Sequence, residues 1–241
     1  MKNWNGRKIQ IAKSKGGKVS VCNYEDNLII PPNSVWPHPD IVKKLYRSTH
    51  GRDFAGDALR ELSSKLGFYC DLQSLRSEDA ITWSVFGTLQ YFPKESQTRF
   101  INSVLEKIDK NLRVDDCFIQ LWTRISHPDT LVSGGPELDF QIVGDRIVIF
   151  GESKWTSKIA KDQGKMKDKN QIQLRTEFLQ KYGSKIFNNA TELLTVVVGL
   201  SLEKRNTGCH YITWREVCTE TLHPLEDEVE RYYLWKNEHG R

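Results

Sequence analysis

The chain has 241 residues, 38% hydrophobic and 27% charged, with a formal net charge of +4, a composition ordinary for a soluble globular protein with one sizeable domain and a small extension. No stretch approaches the ~18 consecutive apolar residues of a membrane span, and the opening MKNWNGRKIQIAKSKGG lacks the apolar core of a secretory signal. Five cysteines (Cys22, Cys70, Cys117, Cys209 and Cys218), odd in number and without a CxxC pair, argue against a disulfide framework or a cysteine zinc site and for reduced thiols in the cytoplasm.

In chain order, residues 7–12 and 18–22 alternate apolar and polar positions around SKGGK, which predicts a β-hairpin with glycines in the turn. KGGK lacks the GxxxxGK[ST] pattern of a phosphate loop, so the turn is the better reading. The proline-rich IIPPNSVWPHP (29–39) closes this basic extension, 1–35. A helical extension, 36–76, follows, with Ile41, Leu45 and Tyr46 at helical spacing and then Ala58, Leu59, Leu62 and Leu66 before Gly67. From Ser77, a natural N-cap, SEDAITWSVFGTLQ reads as one helix, and Phe100, Val104, Leu105 and Ile108 mark another near 96–110.

The pattern then changes to strands: CFIQLWTRI (117–125), ELDFQIV (137–143) and RIVIFGESKW (146–155), the last two joined by a tight turn at Gly144-Asp145. A helix over NQIQLRTEFLQKY, strands at 191–200 and 208–214 and a terminal helix at 224–236 complete the chain. The order predicts an α/β fold with a mixed central sheet.

Charge is unevenly spread. The first twenty residues carry six cations and no acid, residues 154–185 are strongly basic, and the C-terminal part is acidic. A basic stripe suits a polyanion, although a solvated helix face produces the same pattern.

Side chains alternate along a strand, so Glu137, Asp139 and Gln141 share one face, and Glu152 and Lys154 share one face of the next strand. Antiparallel pairing about the turn brings 137–139 beside 151–154, placing carboxylates and a lysine together at one end of the sheet. Carboxylate oxygens suit a hard cation such as Mg²⁺ (or Mn²⁺), which keeps several waters, and a neighbouring lysine stabilises a developing anion.

Asp139 … Glu152-Ser153-Lys154 resembles the signature of the PD-(D/E)XK nuclease superfamily, and the order from Ser77 to Leu200 is similar to that family's α-β-β-β-α-β restriction-endonuclease-like core. The resemblance covers about half the chain and makes 77–241 the nuclease-like domain. It implies that Asp139 and Glu152 bind divalent metal, with the Ser153 carbonyl as a further ligand, and that Lys154 is the catalytic lysine. Glu78 matches the glutamate many members carry on the helix before the sheet, and Gln171 and Gln173 both match the region of a glutamine on the helix after it. The first motif is Pro136-Glu137-Leu138-Asp139 rather than a contiguous Pro-Asp, so Glu137 competes with Asp139; the G-x-E-x-D pattern of many members favours Asp139. No extended Gln-x-x-x-Tyr match ties the chain to the exonuclease branch.

The resulting expectation is a metal-dependent nuclease acting on DNA rather than RNA, with Lys165, Lys167, Lys169 and Arg175 as candidate phosphate contacts. A homodimer is compatible with cutting two strands. The rival reading is a nucleic-acid-binding or assembly module that keeps the fold without the chemistry. His127-Pro128-Asp129 reads as a turn that could contact substrate. Trp83, Trp122, Trp155 and Trp214 read as core first and base-stacking platforms second.

Overall fold

In the computed structural model, which describes residues 1–50, 57–109, 111–130, 134–157, 169–201 and 208–240, the strand-forming runs assemble into two sheets. One is the N-terminal hairpin: β1 (Ile11–Lys13) lies antiparallel to β2 (Val19–Val21), with Ile11 opposite Val21. Gly17 has φ of +80° in the connecting turn, the conformation for which that turn uses glycine. The other sheet is five-stranded and mixed, so the architecture is α/β.

The chain forms two compact units. The first comprises Met1–Tyr91 and Asp227–Arg241. It contains the hairpin, α1 (Pro39–His50), α2 (Asp57–Leu66), α3 (Glu78–Thr82) and nearly all of a terminal helix from Glu226 to His239. The sequence predicts one helix from Ser77 to Gln90, but α3 widens into a π-helical turn over Trp83–Gly87 and tightens into a 3₁₀ turn over Thr88–Tyr91. This stretch is buried and tied across the unit: Trp83 Nε1 donates to the Ile29 carbonyl at 3.0 Å, and Ser84 Oγ accepts from Ile29 N–H at 3.0 Å. Those ties accompany the wider turn, a rare form that occurs mostly as a single turn inside an α-helix. Asn27 donates to the carbonyls of Leu72 and Ser74, and the Tyr232 hydroxyl donates to the Asn27 carbonyl.

The second unit, Phe92–Glu226, holds the five-stranded sheet. After α4 (Lys94–Ile108) come β3 (Cys117–Arg124), β4 (Glu137–Gly144) and β5 (Ile147–Ser153), each antiparallel to the one before. The connection through α5 (Gln171–Ile186) brings β6 (Glu192–Gly199) in parallel to β5, and β7 (His210–Thr213) adds parallel to β6. A parallel neighbour needs a crossover, which the 171–186 helix supplies. β5 is the central strand, and all seven of its residues are buried.

Two local differences from the sequence expectation have clear causes. The β4–β5 turn is Asp145-Arg146, and Gly144 is the last residue of β4. A Cβ on Gly144 would lie 2.7 Å from Val114, so the glycine permits close packing of the preceding loop. Trp214 opens a short helix, α6 (Trp214–Thr219), rather than ending β7. Thr213 caps Glu216 N–H while the Glu216 carboxylate accepts from Thr213 N–H at 2.8 Å, a capping box that interrupts the strand.

Candidate functional site

The hairpin pairs Phe140 with Gly151 and stops there, so the next two opposed positions, Asp139 and Glu152, lie where the ladder opens. A Cβ on Gly151 would lie 2.3 Å from the Phe140 ring, so the glycine lets that ring lie across β5 immediately before the opening. The other flank of Asp139 is irregular too. β3 pairs with β4 through Leu121–Phe140 and again at Thr123–Leu138, and Trp122 between them has φ of 50°. A bulky residue in that region is strained, and such strain concentrates at functional sites. Asp139 therefore sits between two breaks in regular pairing, where its side chain turns inward: Oδ2 accepts from Ser153 N–H at 2.8 Å.

Glu152 is 1% exposed, and an isolated carboxylate buried so deeply would be costly to ionise. Two cations offset that cost. Lys154 Nζ lies 2.7 Å from Oε1, as the shared face of the two residues predicts. Arg175, from the second turn of α5, pairs with Oε2. Arg175 is itself 6% exposed and also donates to the Glu137 carbonyl. Burial pulls its guanidinium pKa down, and the negative charges of Asp139 and Glu137 oppose that shift. The main chain of Lys154 is fixed by its N–H donating to the Val198 carbonyl (2.8 Å) and by its carbonyl accepting from Trp214 Nε1 (2.9 Å).

The remaining expected residues divide. Glu137, the alternative to Asp139, turns to β3 and pairs with Arg124 at 2.9 Å. Gln173 is a capping residue: its Oε1 accepts from Asn170 N–H, while Asn170 Oδ1 accepts from Gln173 N–H, both at 2.9 Å. Gln171 is the glutamine that meets the site: its amide faces the Arg175 guanidinium across one helical turn, and in the orientation that satisfies both groups its oxygen accepts from Arg175 Nη1 at 3.3 Å. Arg175, expected as a phosphate contact, is instead buried on Glu152, because its turn of α5 faces the sheet. Lys169 pairs with Glu177 at 2.8 Å, and Lys165 and Lys167 lie outside the described residues. Glu78 belongs to the first unit, where it opens α3 and acts electrostatically on the Lys236 ammonium. Trp155 is buried, its ring 6.5 Å from that of Trp214, as a core role requires.

Sequence reasoning missed two features of this site. Arg175 as the second counter-ion of Glu152 has no local signal, since it depends on how α5 docks. The cluster of His127, Phe178 and Tyr182 rings, with centroids 4.6–5.8 Å apart, joins a loop to a helix far along the chain. The four-residue spacing of Phe178 and Tyr182 was the one readable hint.

Asp139, Glu152 and the Ser153 carbonyl are hard oxygen donors, and a hard divalent cation is commonly held by one or two carboxylates with several waters. Among the described residues, no group of three or more His, Cys, Asp or Glu side chains could hold a metal, and the set here has two carboxylates. The donor chemistry fits, with the condition that a cation approaching Glu152 Oε2 must compete with Arg175. No family model, curated protein or solved structure matches the chain.

Proposed function

We propose that the second unit is a restriction-endonuclease-like nuclease that hydrolyses phosphodiester bonds, in DNA before RNA, with a divalent cation as cofactor. The carrying observation is the opening of the β4–β5 ladder after Phe140 and Gly151, with Asp139 held on Ser153 N–H and Glu152 and Lys154 together beside it. The strand and helix order around that opening supports the same reading.

Asp139 and Glu152 would hold the cation, with the Ser153 carbonyl as an additional donor. When bound, that group polarises a phosphoryl oxygen and lowers the pKa of a water. Lys154 pairs with Glu152 and presents a positive charge where the pentavalent phosphorane would gather negative charge. Arg175 balances the inner oxygen of Glu152, and Gln171 holds Arg175 in line. Lys154 is 18% exposed at its side chain while Glu152 is 1% exposed, so the lysine is the member of the pair open to substrate.

One observation favours a second reading. Both Glu152 oxygens already carry cations, the arrangement of a self-sufficient structural network. On this reading the domain binds nucleic acid or assembles with partners and leaves the backbone intact.

A cleavage assay separates the two. Supercoiled, linear duplex and single-stranded DNA are incubated with Mg²⁺, Mn²⁺ or EDTA, using native protein and Glu152→Gln. The nuclease reading expects metal-dependent cutting that falls by about a hundredfold or more in the variant, and a Mn²⁺-induced rise in melting temperature that the variant loses. Absence of cutting on every substrate, together with a melting curve indifferent to metal, establishes the silent module.

A further inference from the structure

Beside the carboxylate cluster, and sharing Arg175 with it, lies a cavity of about 680 Å³, within the ~300–1,000 Å³ of sites that hold small organic groups. Its wall combines the His127, Phe178 and Tyr182 rings with Leu174, Gln171 and Lys181. The rings touch one another: His127 and Tyr182 are 4.6 Å apart between centroids, Phe178 and Tyr182 5.1 Å, and His127 and Phe178 5.8 Å. The acids of the wall carry their own cations, Glu137 with Arg124 and Glu177 with Lys169, so they do not repel an anion as bare carboxylates would. Lys181 is exposed, with its ammonium 4.8 Å from the centroid of the Tyr182 ring. Aromatic surface, an amide edge and an exposed cation beside the proposed phosphodiester site are the ingredients of base stacking next to a sugar-phosphate chain.

We propose that this cavity is a nucleobase pocket, which takes one unstacked base of a single-stranded nucleic acid while Lys181 meets the adjoining phosphate. A base inside a duplex has both faces occupied by its neighbours, so the pocket selects single strands, frayed ends or gaps. Phe178 and His127 supply the stacking surface, because Lys181 already lies over Tyr182. Gln171 offers its amide NH₂ donors to the base edge, its oxygen being turned to Arg175. The inference rests on the second unit acting on nucleic acid and gives that reading a substrate form.

The test is a binding measurement that needs no turnover. Fluorescein-labelled oligothymidylate, its abasic counterpart and a short duplex are titrated by anisotropy in EDTA against native protein, Phe178→Leu and His127→Ala. Phe178→Leu keeps apolar volume against the neighbouring core, circular dichroism checks that each variant is folded, and the exposed-loop His127→Ala stands independently if Phe178→Leu melts. The expected result is preference for the oligothymidylate over its abasic form, and a loss of about tenfold in each ring variant, the scale of one stacked base. Duplex and abasic binding stay unchanged. Equal binding of oligothymidylate by native and variant proteins, or equal binding of the abasic strand, overturns the pocket. Metal-dependent cleavage without ring-dependent binding removes the pocket and leaves the nuclease standing. Ring-dependent binding without cleavage under any metal keeps the pocket and removes the nuclease.

Discussion

At the scale of single residues, Glu152 is the most constrained group of the site. A buried carboxylate between two cations contributes little net stability as a set, since desolvation offsets most of the attraction, but losing one partner leaves a charge stranded. The two partners differ in environment: Arg175 is buried beneath the sheet, whereas Lys154 is partly solvated. Arg175→Met should therefore destabilise the protein by about 3 kcal/mol in urea unfolding, and Lys154→Met by clearly less. Adding Glu152→Gln to Arg175→Met should return most of that loss, because the stranded charge is gone; a double variant no more stable than the single would show that Arg175 acts through packing alone. The Glu152–Lys154 contact was legible in the sequence, because residues two apart on a strand share a face. Arg175 was not, because no spacing along the chain links position 175 to position 152.

At the scale of elements, β3 and β4 are marked by alternation and β5 and β6 by continuous apolar runs, and the β4–β5 register follows from their short turn. The errors cluster where a residue serves two purposes. Gly144 looks like a turn glycine but makes room for Val114, and Trp214 looks like the end of a strand although Thr213 and Glu216 spell a capping box around it. The two glutamines of α5 could not be told apart from sequence, and the cap decides between them, since Asn170 engages Gln173 and leaves Gln171 one turn below Arg175. That cap starts the helix that delivers Arg175, Phe178 and Tyr182. Asn170→Ala should lower stability by about 1 kcal/mol, seen as a lower urea midpoint with an unchanged slope. No shift in midpoint would mean that docking on the sheet alone defines the start of α5.

At the scale of the whole molecule, the second segment of the first unit is a helix near the end of the chain. It carries Lys236, which is 0% exposed and donates to the Leu75 carbonyl at 2.8 Å, with the Tyr232 ring and Glu78 as its electrostatic neighbours. Burial lowers its pKa from the ordinary 10.5 to about 7, against the opposing pull of Glu78. The folded state thus releases this proton near pH 7, while the unfolded chain keeps it up to 10.5, so stability rises with pH between those values, by at most about 1.4 kcal/mol per pH unit. Burial of Cys70 pushes its thiol from 9.0 up to about 11, which acts in the opposite sense above pH 9. Stability measured by urea unfolding from pH 7 to pH 9 should climb in the native protein and stay flat in Lys236→Met. A flat native profile would mean that Lys236 stays charged in the fold.

By itself, the sequence determined the α/β class, the hairpin at each sheet, the approach of the 137–139 and 151–154 strand ends and the shared face of Glu152 and Lys154. These follow from alternation, turns and caps, which act between residues close along the chain. The tertiary structure alone decided that Arg175 closes on Glu152, that Gln173 caps while Gln171 faces the site, and that His127 meets Phe178 and Tyr182 across a cavity. It also decided that residues 227–241 join the first ninety-one. Each of these depends on how a helix docks on a sheet or on distant segments, and docking is governed by shape and burial summed over many side chains, which no local spacing records.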